Sequence, residues 1–452
     1  MANTTGLVWL NDDLRLHDNA LITRAAQECE QLIFCYFVDP RQLKQDQYGC
    51  QALGLHRRQF LAESLQYLSD QLAELDQRLN IFISEPVSSI EAICSNLPVT
   101  HVYRSKPVAF NESQDWLRLR GSLPGVHCVS EETRCLFNAR DLEIMRADKG
   151  FNALSSTDTF PKTFSKFRRL AERCTFPVPT HAVTSLPPNI SLKAFNFEGL
   201  NPALWIVNNE PYARGGEIAG LEHLKGYMTS SAPNQYKSTR NTFDSWEDSS
   251  KWSLWLANGA LSVREIAQAL RNFQATHGKN EENDWLMFEL LWREYFQWYA
   301  RAFSQKLFLL NGIAEKKQLH GSFYAQRFRQ WCSGTTPYPI VNACMRQLNA
   351  TGYMSNRGRQ IAASALIHEL GLDWRCGAAY FEQQLIDYDP ASNWGNWQYI
   401  AGVGADPRGG RQFNLDKQAK MYDPDGAFIH RWTNPSDNYP LDYVDAADWP
   451  IA

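Results

Sequence analysis

Over the first 130 residues, short apolar runs alternate with amphipathic stretches: Gly6–Leu10, Leu32–Val38, Ile81–Ser84, His101–Tyr103 and Val126–Val129. Brief runs that stay apolar without alternation suit strands buried on both faces, and the segments between them supply crossover helices. The clearest of these helices carries Phe60, Leu61, Leu65, Leu68, Leu72, Leu75 and Leu79 at spacings of three and four. The pattern predicts a doubly wound parallel α/β domain over residues 1–130. No G-x-G-x-x-G follows the first strand, so an NAD-type fingerprint is missing.

From residue 131 to 200 the periodicity weakens, and Pro177, Pro179, Pro187 and Pro188 punctuate an expected interdomain linker. Long helical patterns follow over Gly216–Met228, Trp252–Phe273, Asp284–Phe303, Tyr338–Ala350, Ser355–Leu370 and Trp374–Leu385. They predict a large all-α domain over residues 201–432. The tail, 433–452, holds Asp437, Asp442, Asp445 and Asp448 without a basic residue.

Composition sharpens this division. Two of the fifteen tryptophans precede residue 200, so the halves are built differently. Charged residues at 21% and hydrophobic ones at 44% exclude extensive disorder. Lys+Arg 45 against Asp+Glu 49 gives a net charge of -4, so nucleic-acid binding must come from a local patch. The ten cysteines form no C-x-x-C pair, which argues against a zinc or redox motif. Residues 1–10 lack a charged start and a long apolar core, so a cytoplasmic protein without a membrane anchor is expected.

Three segments concentrate chemically useful side chains. In Glu289-Leu-Leu-Trp292-Arg293-Glu-Tyr-Phe296, positions 289, 292, 293 and 296 share one helix face, where a carboxylate, an indole and a guanidinium converge. A core helix with internally paired charges is the plain alternative. Ser249-Ser250-Lys251-Trp252-Ser253 places hydroxyls and a cation before an apolar helix, either as a pyrophosphate cradle or as an ordinary N-cap. The Asp387–Tyr399 loop packs Asp387, Asp389, Asn393, Trp397 and Tyr399 together without a His or Cys cluster, which suits a cofactor pocket better than a metal site. Lys162, Lys166, Arg168, Arg169 and Arg173, interleaved with Phe160, Phe164 and Phe167, read as a solvated helix face packing its aromatics inward.

These segments recur in order with Trp9-Leu-Asn-Asp-Asp13-Leu-Arg15-Leu-His-Asp18-Asn19, Tyr236-Lys-Ser-Thr-Arg240-Asn241, Thr351-Gly-Tyr-Met-Ser-Asn356-Arg357-Gly-Arg359-Gln360 and Leu372-Asp-Trp374-Arg. In this the chain resembles the photolyase/cryptochrome flavoproteins, nearest their cryptochrome DASH branch. The resemblance implies an antenna domain joined to a helical domain that holds FAD folded into a U. Tyr236, Ser249, Ser250, Lys251, Ser253 and Leu256 would surround its phosphates and ribose, and Arg293 and Asn356 would line the pocket. Arg359 and Asp387 would pair beside the isoalloxazine, Asp389 would bond its edge, and Asn393 would face N5.

The activity so implied is light-driven splitting of cyclobutane pyrimidine dimers by electron transfer from reduced flavin. Glu289 would hydrogen-bond the dimer, Trp292 and Tyr399 would pack on it, and Gln360 would line its pocket. Arg240 and Arg357 would hold flanking phosphates, with Arg408 and Arg411 as further candidates. Asn356 and Gln360 stand where (6-4) photolyases carry histidines, which disfavours that lesion. The implied partner is UV-damaged, preferentially single-stranded DNA, met by a monomer. Blue-light sensing through flavin photoreduction is the main alternative, with no signalling partner indicated.

Two positions depart from the family pattern. Trp397 and Trp374 match the inner and middle members of the photoreducing chain, but the outer position falls on Gly321, with Phe323, Tyr324 and Trp331 as nearby aromatics. Where DASH relatives usually carry a carboxylate for a folate-type antenna, this chain has Pro107 and Ala109, with Glu112 out of register. The antenna stays open between methenyltetrahydrofolate, another chromophore and none.

Overall fold

A computed structural model of the chain describes residues 4–138, 160–192, 195, 197–315, 321–404, 409–434 and 437. Arg408 and most of the acidic tail lie outside the described residues. Strands β1 (Thr5–Leu10), β2 (Gln31–Val38), β3 (Leu79–Ile83), β4 (His101–Ser105) and β5 (His127–Glu131) form one parallel sheet in the order β3-β2-β1-β4-β5. Helices α1 (Ala20–Glu28), α2 (Leu55–Glu74), α3 (Pro86–Asn96) and α4 (Phe110–Ser122) fill the crossovers. Because strand side chains alternate, Val8, Leu10 and Phe34 join Leu65, Leu68 and Leu72 of α2 in one buried cluster. Leu7, Trp9, Ile33 and Cys35 join Ile90 of α3 and Trp116 of α4 in a second. A sheet covered on both sides is the doubly wound arrangement expected from its apolar runs.

Two helix assignments need correction here. α2 stops at Glu74, and Leu79 opens β3, so the three-and-four spacing of leucines runs past the helix end. The expected Trp252–Phe273 helix is two, Ser253–Ala257 and Val263–His277. Between them Gly259 takes φ +70°, and a Cβ there would run into the backbone of Asp12 in the β1–α1 loop. The break is imposed by the other domain.

The described chain beyond residue 201 is helical wherever it forms an element, as expected. Its longest helix, Glu281–Phe303, starts from a reciprocal cap between Asn280 and Asn283, with Glu281, Glu282 and Asp284 in the first turn. The segment from Asp387 to Tyr399 is not the expected loop. Asp389 caps the Ser392 N–H, Pro390 takes the first helical position, and the helix runs from Pro390 to Ala401.

The two units are joined by buried polar contacts. Arg15, 1% exposed, donates to the carbonyls of His17, Asp18, Thr133 and Gly259 at 2.7–3.0 Å, linking three separate segments. Glu217 accepts from the backbone N–H groups of Leu16 and His17 and pairs with the His17 ring at 2.6 Å. Leu136 and Phe137 N–H groups donate to buried Glu294, and Arg301 pairs with Glu132 at 2.6 Å. The proline-punctuated stretch then returns along the sheet, where Leu32 N–H donates to the Pro188 carbonyl and Ile83 N–H to that of Glu198. No described helix is long and apolar enough to cross a membrane.

Candidate functional site

Two joined cavities open among the helices, one of about 350 Å³ and one of about 230 Å³. Glu289, Arg240, Arg293, Asn356, Arg359 and Asp387 line both. Tyr236, Ser249, Ser250, Lys251, Ser253 and Leu256 face the smaller one, together with Tyr353. Trp292, Arg357, Gln360, Asp389, Asn393, Trp397, Tyr399 and Arg411 face the larger. Sequence segments 150 residues apart are thus gathered on one continuous wall.

The smaller cavity carries four cationic side chains, Lys251, Arg240, Arg293 and Arg359, against the carboxylates Glu289 and Asp387. Lys251 sits in the left-handed region at φ +52°, with Nζ donating to the Ser245 carbonyl at 3.0 Å and to Ser249 Oγ at 2.7 Å. Its ammonium also lies 5.0 Å from the centre of the Tyr353 ring. Burial pulls the Lys251 pKa down to about 8, with Asp248 opposing and Arg359 reinforcing the fall.

The larger cavity has a mouth and a floor. At the mouth, Arg240 and Trp285 donate to Glu289 Oε1, the indole at 2.9 Å. Burial pushes the Glu289 pKa up, and Arg240 offsets only part of the rise. Trp292 stacks on Phe164 at 3.8 Å between centroids and 10° between planes, and meets Tyr399 edge-on at 6.2 Å. Phe160 and Phe167 also point inward, while Lys162, Lys166, Arg169 and Arg173 are exposed. Arg411 lies 4.6 Å from the Tyr399 ring, and Arg357 donates to Asn241 Oδ1 at 3.2 Å.

At the floor, Ser355 caps the Asn356–Ser364 helix, which presents Arg359 and Gln360. Arg359 Nη2 donates to both oxygens of Asp387 at 2.9 Å, and its Nε to the Met354 carbonyl at 2.8 Å. Asp389 accepts from Gln297, Arg134 and the Ser392 N–H. Asn393 Nδ2 donates to the Ala378 carbonyl at 3.0 Å. A carboxamide fixed this way has no acidic proton to give.

Trp397 meets the rings of Phe381 at 5.1 Å and Trp331 at 6.2 Å, and a Cβ on Gly377 would collide with its indole. Trp374 does not face the cavities. It is fully buried, packs edge-on to Trp394 at 5.7 Å and donates to the Leu310 carbonyl. Gly321 adjoins the Leu310 side chain. Trp331 is fully buried, whereas Phe323 is 41% exposed.

A further cavity, of about 20 Å³, lies at the domain boundary. Its wall includes Asp12, Arg104, Pro107, Ala109, Glu112 and Arg134. Glu112, expected out of register with Pro107 and Ala109, shares their cavity because α4 turns its first carboxylate back onto it.

Sequence reasoning missed Tyr353, Gln297, Trp285 and Arg134. Gln297 and Trp285 stand four residues either side of Arg293 and Glu289, so helical spacing contained that signal. Arg134 carried none, lying outside any periodic segment.

Comparison with known proteins agrees with this fold. Residues 6–187 match the DNA photolyase family, and residues 285–451 match the FAD binding domain of DNA photolyase. Cryptochrome DASH of Idiomarina loihiensis is 46% identical, the alignment covering 99% of this chain and 96% of that one. Cryptochrome DASH of Vibrio parahaemolyticus is 44% identical over 100% of this chain and 98% of its own. Among solved structures, the Synechocystis cryptochrome superposes with a TM-score of 0.87 at 35% identity, covering 96% of this chain and 89% of that one. A class III photolyase from Agrobacterium tumefaciens gives 0.78 at 25% identity, with 96% and 87% covered. The chain belongs to the photolyase/cryptochrome family, and the relatives it matches over full length carry the name cryptochrome DASH.

Proposed function

We propose that this chain binds FAD and uses light to split cyclobutane pyrimidine dimers in DNA, favouring single-stranded substrate as a monomer. The donor set fits that cofactor. Lys251 with Ser249, Ser250 and Ser253 suits a pyrophosphate, Arg293 and Asn356 stand at the junction of the cavities, and Tyr236 and Leu256 give the small cavity an apolar side. When bound and reduced, FAD supplies a photoexcited one-electron donor, so the protein needs no acid/base triad.

The protein's own groups then bind and orient. Asp387 and Arg359 form a fixed charged pair, and Asp389 and Asn393 hold polar groups at set positions beside it. Glu289 would accept hydrogen bonds from a flipped dimer while Trp292 and Tyr399 exclude water from its faces. Arg240 and Arg357 would meet the flanking phosphates. Trp397, with Phe381 and Trp331 around it, would relay an electron inward, and Trp374, which packs on Trp394, would be the middle member of that path.

The observation that carries this reading is the shared wall. Glu289, Trp292 and Tyr399 open onto the same cavity as Asp387, Arg359 and Asn393, so a lesion and a flavin would touch. The test mixes reduced protein with UV-damaged oligothymidine, single-stranded and duplex, and follows recovery of base absorbance under blue light. Recovery in single strands, with little in duplex, is the expected result. No recovery by a protein carrying photoreducible FAD would overturn repair and leave light sensing.

A further inference from the structure

Arg134 belongs to none of the motifs above, yet it touches both domains. Its side chain is 7% exposed, and the residue follows β5 in the chain. Nη2 donates to Asp389 Oδ2 at 2.6 Å, while Nη1 donates to Asp12 in the β1–α1 loop. Its carbonyl accepts from Arg293 Nη1 at 2.8 Å, so main chain and side chain both reach the cavity wall. One guanidinium therefore joins a sheet-domain carboxylate to one on the floor of the larger cavity.

Asp389 has little capacity left for the isoalloxazine edge it was expected to bond, because protein donors fill its acceptor sites. Gln297 Nε2 donates to both oxygens at 2.9 Å, Ser392 N–H donates to Oδ1 at 2.7 Å, and Arg134 takes Oδ2. A carboxylate has about four acceptor sites, so these contacts fix its rotation as well as its place. Asp389 is also the cap of the Pro390–Ala401 helix, which carries Asn393, Trp397 and Tyr399. A displacement of Asp389 thus moves three cavity residues together. Burial opposes the Asp389 charge, but Arg134 and then Arg293 more than offset it, leaving the pKa below its ordinary value. Lysine could not substitute, because a single ammonium lacks the planar fork that reaches two carboxylates in different directions.

We infer that Arg134 is a positioning residue of the cofactor cavity, fixing Asp389 and the helix it caps and tying both to the sheet domain through Asp12. The inference rests on the FAD reading above. The cavity's alignment is thus set by a residue in the interdomain stretch that is not itself part of the larger cavity's lining. Loss of Arg134 would act on flavin binding through Asp389, without any contact of its own with the cofactor.

A double-mutant cycle tests this on the full-length protein reconstituted with FAD. Arg134→Gln is measured alone and in an Asp389→Asn background, with FAD dissociation, the fine structure of the bound flavin's visible band and far-UV circular dichroism as readouts. In the native background Arg134→Gln is expected to weaken FAD by about tenfold and blur the band, with the dichroism unchanged. In the Asp389→Asn background the same change is expected to cost under about twofold, because the charge that Arg134 holds has gone and only a neutral acceptor is left. Equal losses in both backgrounds, or no loss in the native one, would overturn the inference. Where Arg134→Gln does not fold, Arg134→Lys replaces it in both arms, keeping the charge and losing the fork. A wild-type chain that takes up no FAD would instead overturn the reading beneath.

Discussion

Glu289 and Asp389 are carboxylates on the wall of one cavity, and burial pushes the pKa of both upward, yet they end on opposite sides of their ordinary values. At the mouth, the two donors to Glu289 converge on a single oxygen, and the side chain stays 31% exposed. At the floor, Asp389 is held by Gln297, Ser392 and the Arg134 guanidinium, with Arg293 adding its field. Burial alone therefore does not decide the charge; two guanidinium groups outweigh it at Asp389, and one does not at Glu289. A carboxylate with all its bonds made is a part of the scaffold. One with spare acceptor capacity can take a new partner.

The strongest way to break the contrast is Asp389→Ala. It removes a helix cap and strands part of the buried Arg134 charge, so unfolding should become easier by about 3–5 kcal/mol in urea titrations. A change below about 1 kcal/mol, the ordinary cost of a point substitution, would show that the floor network does not stabilise the fold.

Glu289→Ala asks the opposite question. The mouth caps no helix, so FAD content and urea midpoint should stay near wild type. Repair yield on saturating dimer substrate should fall by about tenfold or more, the worth of a charged hydrogen bond. Unchanged yield would remove Glu289 from lesion contact.

A third test moves to the small cavity. Lys251 in the free protein loses its charge at about pH 8, so FAD affinity should be flat below that value and fall above it. The fall should approach about tenfold per pH unit and be measured by fluorescence of released flavin. Lys251→Met should bind FAD weakly at every pH, without the break. A break retained in Lys251→Met would assign it to another group.

How far the sequence foretold these regions depends on how local their causes are. The sheet was legible because its strands are short apolar runs, and Glu289, Trp292 and Arg293 were legible because one helix sets their spacing. The helix break at Gly259 was not, since it answers to the backbone of Asp12 in the other domain. The Pro390–Ala401 helix had a visible start, an Asp before a Pro, but its turn formers outweighed that signal in a segment rich in polar groups. Arg134 was invisible because its value lies in two carboxylates far away in the chain, Asp12 and Asp389. Side chains whose role follows from local spacing, such as Glu289 and Trp292, can be read from sequence, whereas one that acts across domains, such as Arg134, cannot.

The finest test of the mouth is the pH dependence of stability in Glu289→Gln. In the folded protein burial holds the Glu289 pKa above its ordinary value, so between the unfolded and folded values the native state binds more protons. Glu289 therefore lowers stability progressively as pH rises through that window, and below it contributes nothing. Glutamine keeps an acceptor for Arg240 and Trp285 but removes the desolvated charge. The variant should match wild type at the acid end of the window and be slightly more stable above it, as urea midpoints at successive pH values would show. A variant less stable than wild type above the window would mean that the Arg240 pair outweighs burial, and that the mouth is built as tightly as the floor.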